Sequence, residues 1–63
     1  MKVFMLRDAV GKFYNAFDEE FRSKGEGEVY ANKVVAKQVQ EYIAAELDCW
    51  CEIVPFILVE VAS

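Results

Sequence analysis

NKVVAKQVQEYIAAELDCWCEIVPFILVEV, residues 32–61, decides the fold, because it passes from a helix pattern to a strand pattern across one short break. Asn32 stands where an N-cap belongs, its side-chain oxygen available to the first free amides of a helix. The run KVVAKQVQEYIAAEL that follows contains no glycine or proline, and its roughly 15 residues make a helix about 22 Å long. At 100° per residue, Val35, Ala36, Val39, Tyr42, Ile43 and Leu47 fall in one arc, with Lys33, Lys37, Gln40 and Glu41 mostly outside it, so this arc is predicted to cover a sheet. Glu46 lies inside the arc near the C-terminal end, where the helix dipole disfavours a negative charge. Its stem is expected to pack and its head to reach water.

In the strand half the odd positions Cys51, Ile53, Ile57, Val59 and Val61 are apolar, and so are the even positions Val54, Phe56 and Leu58, between Glu52 and Glu60. Both faces of such a strand want cover. Pro55 has no amide to give to a ladder, which implies an edge strand or a bulge, and a bulge would flip the inward parity halfway along. The face turned to the helix is therefore left open.

Upstream, KVFMLR (residues 2–7) and KFYNAF (residues 12–17) are rich in aromatic and β-favouring residues, and DAVG between them supplies the turn glycine of a β-hairpin. The charged stretch DEEFRSKGEGE (18–28) reads as a solvated loop, and EVY (28–30) as a short edge strand. The expected fold is a small single-domain α+β two-layer sandwich. A β-hairpin, one helix and a C-terminal strand make a three- to four-stranded, mainly antiparallel sheet.

With 63 residues the chain builds one small core. Such a core supplies only about 3 to 5 kcal/mol, so a disulfide, a metal or a second subunit is expected to reinforce it. The formal charge of −4 and the pI near 4.6 oppose attraction to phosphate backbones and anionic lipid. No direct nucleic-acid partner is expected, and binding by stacking on surface aromatics lacks a basic groove. The N-terminal MKVFMLRDAVGK has no uninterrupted signal-type apolar run, and no apolar stretch is long enough for a membrane span. A cytoplasmic protein is the default.

The chain has no histidine and no threonine, and its only serines are Ser23 and Ser63, which excludes a serine or cysteine nucleophile with a histidine base. Cys49 and Cys51 flank Trp50. Two thiols cannot close a tetrahedral zinc site within one chain, although four from two copies would suffice. Their loop is also too short for a relaxed disulfide. They read as small buried hydrophobes beginning the strand, both on the face opposite Trp50. Asp18, Glu19, Glu20, Glu26 and Glu28 lack the alternation of a calcium loop, and GEG lacks the spacing of a phosphate loop. No enzyme activity, metal or cofactor is expected.

One helix cannot cover two apolar sheet faces. In β-parity Val3 and Met5 face opposite to Phe4 and Leu6, and Phe13 and Phe17 opposite to Tyr14. An uncovered face marks an interface, unless loop 18–27 folds over it with Phe21 tucked inward. The expected function is non-enzymatic self-association or binding of another protein through Phe4, Leu6, Tyr14, Phe56 and Leu58, with Trp50 as a rim anchor. The alternative is an acidic nucleic-acid mimic that blocks a DNA-binding enzyme through Asp18, Glu19, Glu20, Glu26 and Glu28.

The succession of LRD, GKFY, VY, a helix containing VVAKQV and a closing CEIVPFILVEV resembles small uncharacterised proteins encoded by bacteriophages and prophages. The resemblance spans most of the chain through short motifs. The charged loop 18–27 and the extra apolar Ile57 depart from it. It implies an accessory role in a bacterial cytoplasm, with a homodimer or a host or phage protein as partner and no activity assigned to any residue.

Overall fold

The computed structural model describes residues 1–57. It has strands β1 (Lys2–Arg7), β2 (Phe13–Asn15) and β3 (Glu20–Arg22), a 3₁₀ turn at Lys24–Glu26, helix α1 (Lys33–Glu46) and strand β4 (Glu52–Ile57). One antiparallel sheet in the order β3-β2-β1-β4 carries the helix on one side. The α+β class and the hairpin are as expected. At the hairpin turn the Asp8 carboxylate accepts from the amides of Val10 and Lys12, at 3.1 and 2.8 Å, and Gly11 takes a φ of 88°, open to glycine at little cost.

Two elements differ from the sequence expectation. The third strand lies at Glu20–Arg22, inside the stretch read as a loop. Glu19 reverses the chain at a φ of 56°, and the Asp18 carboxylate accepts from the Glu20 amide at 3.2 Å, as short acidic side chains do in tight turns. Residues 28–30, expected at an edge, instead fill a split inside the sheet. Tyr30 exchanges two backbone bonds of 2.7 Å with Phe4 of β1, and the Glu28 amide donates to Tyr14 of β2 at 2.8 Å. β2 and β1 pair directly only at Arg7 and Phe13.

β4 is an edge strand, one of the two settings that Pro55 allows, and its register with β1 runs without a bulge from Lys2↔Ile57 to Arg7↔Glu52. Phe4 turns its amide and carbonyl toward Tyr30. Its partner across the ladder, Pro55, therefore has its missing donor on the outer side, where no bond to β1 is lost.

The helix begins where Asn32 accepts from the Val34 amide at 2.7 Å. Its buried stripe is rotated from the predicted arc. Ala36 and Ile43 are buried, Val39 and Leu47 pack beside them, and Val35 and Tyr42 are exposed. Gln40 takes the vacated side and donates to the Cys51 carbonyl at 2.9 Å, satisfying a backbone group that the chain leaves unpaired just before β4. Glu46 is exposed.

Both sheet faces are covered. Beneath the helix lie Leu6, Tyr14 and Cys51, with Phe4, Phe21, Tyr30 and Ile53 around them. On the opposite face Val3, Met5 and Phe13 are also buried, and the segment 24–27 lies over Met5 and Phe13. Gly27 makes this possible, since a Cβ there would stand 2.6 Å from both the Met5 methyl and the Phe13 Cβ. Asn15 holds the segment down, donating to the Glu26 carbonyl at 2.7 Å.

Candidate functional site

The residues expected to form one apolar interface are divided by the fold. Leu6 and Tyr14 are 0% and 1% exposed and belong to the core under α1, so an intact fold does not present them to a partner. Phe4 sits half-buried at the border of the same core, with the Lys2 ammonium 5.8 Å from its ring. Phe56 lies on the other face, its ring 6.0 Å from Phe13 and capped by the Lys24 ammonium at 4.4 Å. Leu58 lies outside the described residues. The physical reason is the strand period of two. Phe4 and Leu6 face opposite to Phe56 because Phe56 pairs with Val3, and residues directly paired share a face. The expectation of an uncovered face fails because segment 24–27 lies across it; Phe21 contributes to the helix side, 5.4 Å from Tyr14.

Among the described residues of that set Trp50 alone is largely exposed, at 61%. Asp48 ends the helix with a φ of 49°, doing what glycine usually does at a helix C-terminus, and the Cys49 amide donates back to the Ile43 carbonyl at 3.4 Å. This reversal sends Cys49 and Cys51 toward the core and leaves Trp50 outside. β4 starts one residue after Cys51, so the two cysteines precede the strand rather than begin it. Burial, then the neighbouring Cys49, pushes the Cys51 thiol up to about 11, which suppresses its nucleophilic thiolate near neutral pH. Burial likewise pushes the Tyr30 phenol up to about 12.

Three of the five acidic residues are brought together around a cation. The Arg22 guanidinium pairs with Asp18, with Glu20 at 3.3 Å and with Glu26 at 3.7 Å. The bond to Asp18, first, raises its hold on the proton further. Glu19 accepts from the Tyr42 hydroxyl, which ties the β2–β3 turn to the helix. Glu28 joins the sheet split through its backbone amide. Arg22 thus damps the field of the carboxylates proposed as a nucleic-acid mimic, and among the described residues no three acidic or thiol groups converge where a metal ion would sit. No helix among them is long and apolar enough to cross a membrane.

The two outer edges of the sheet differ. β3 is three residues long and charged at both ends, Glu20 and Arg22. β4 is EIVPFI, with Ile57 77% exposed. By the alternation fixed at Phe4, the amides of Ile53 and Ile57 and the carbonyls of Ile53, Pro55 and Ile57 face outward. Among the described residues no strand pairs with that edge. Sequence reasoning left β4 as an edge strand or a bulged one and did not read the edge itself as a surface. No family model, curated protein or solved structure matches the chain.

Proposed function

We propose that the protein is a non-enzymatic interaction module that self-associates along the outer edge of β4. The observation that carries this reading is the contrast between the edges. Natural sheets blunt an exposed edge with charge, shortness or proline. β3 has the first two, whereas β4 has Pro55 alone and is otherwise apolar from Ile53 to Ile57. A second copy, antiparallel about a two-fold axis, extends the two sheets into one and adds buried surface to a core too small to be strongly stable by itself.

Ile57→Pro is the test, because Ile57 is exposed and its amide points away from β1. Native mass spectrometry should show a dimer for the parent chain and a monomer for the variant, with unchanged far-ultraviolet circular dichroism. A parent chain that sediments as a monomer at tens of micromolar refutes the reading.

A further inference from the structure

Trp50 forms a ridge between two hollows at the end of the sheet where β1 leaves and β4 enters. One, of about 400 Å³, is lined by Arg7, the 8–11 turn and Glu52. The other, of about 340 Å³, is lined by Ala44, Asp48 and Cys49. The charges around the indole are unbalanced. Arg7, the one cation lining either hollow, is paired with Glu52, its Nε donating at 2.8 Å. Asp8 and Asp48 carry no compensating ion pair among the described residues. An exposed indole flanked by uncompensated carboxylates is the arrangement that attracts a weakly hydrated organic cation, because the ring face and the carboxylates both favour positive charge.

We infer that the Trp50 ridge is a docking site for an arginine-bearing segment of a partner protein, a guanidinium lying against the indole within reach of Asp8 or Asp48. The apolar wall of Ala44 and Cys49 takes the neighbouring aliphatic portion of that segment. The site uses none of the outward groups of β4, so it stands whether or not the chain dimerises.

The probe is an N-acetylated, C-amidated tri-arginine peptide, and Trp50 is the only tryptophan of the chain, so its fluorescence reports directly. Saturable change is expected with the arginine peptide and none with a tri-glutamine control. Asp8→Asn with Asp48→Asn should weaken binding at least tenfold without unfolding, since asparagine keeps the turn acceptor at position 8 and tolerates the left-handed backbone at 48. Trp50→Ala, followed by calorimetry, should weaken it similarly, and the Ile57→Pro chain should bind as the parent does. Equal binding by Trp50→Ala would reduce the effect to the general attraction of an acidic protein and overturn the proposal. So would the absence of saturation at millimolar peptide.

Discussion

The two faces of the sheet are buried to a similar depth by unlike means. Under α1, a helix with a full apolar stripe covers Leu6, Tyr14 and Cys51. On the other side Val3, Met5 and Phe13 are 3 to 5% exposed, and a single short turn lies over Met5 and Phe13, held by the Gly27 contact, the hydrogen bond from Asn15 and the Lys24 ammonium against Phe56. The difference teaches that a small domain needs no second helix to close a second face. It needs a chain segment able to lie flat, and Gly27 supplies that at one point.

The largest effect should come from the helix side. Leu6→Ala is expected to cost about 3 to 4 kcal/mol, the usual loss for a fully buried leucine, which is comparable with the whole stability of a core this size. Urea titration followed by circular dichroism should find little folded protein; a cost below about 1 kcal/mol would mean that the helix is not the main clamp.

Breaking the other face tests the thinner cover. Gly27→Ala forces a methyl into Met5 and Phe13 and should cost about 1 to 3 kcal/mol, in the range of overpacking. Near-ultraviolet signals of the aromatic residues should weaken while the helix signal persists. Loss of both together would show that the two faces fold as one unit.

The smallest effect is alkaline, vanishes near neutrality and belongs to the helix side alone. Cys51 and Tyr30 have folded values of about 11 and about 12 against ordinary values of 9.0 and 10.0. In the window above pH 9 the unfolded chain has given up protons that the folded chain retains, so stability falls as pH rises. The thiol contribution is lost by about pH 11 and should be absent in Cys51→Ala. A denaturation midpoint that is level between pH 8 and 11 would count against it.

Much of this was legible in the residues. Asn32 and the uninterrupted run after it marked the helix, DAVG marked the hairpin, and Pro55 marked an edge or a bulge, of which the unbroken register leaves the edge. The strand parity of β1 was right, but sharing of faces between β1 and β4 depends on register, which a strand apolar on both sides does not specify. The helix stripe was misplaced because Val35 and Tyr42 look like core residues by type, whereas Gln40 packs inward for the sake of one carbonyl. The strand at 20–22 was hidden by its charges and its shortness, since three residues offer only one inward apolar side chain, Phe21, between Glu20 and Arg22. Trp50 was singled out from the start, and Asp48 and Glu52 stand beside it in the sequence, but the approach of Asp8 joins two distant stretches of the chain.

The split between β1 and β2, filled by residues 28–30, bears on how fast the molecule forms. β1 has direct local pairing only at its end, and its other neighbours are Tyr30 and β4, so its ladder waits for segments far along the chain. Closing such distant loops before any reward is collected slows folding. The domain should therefore reach its native state more slowly than helical proteins of its length, with α1 available early as a surface against which β1 is gathered.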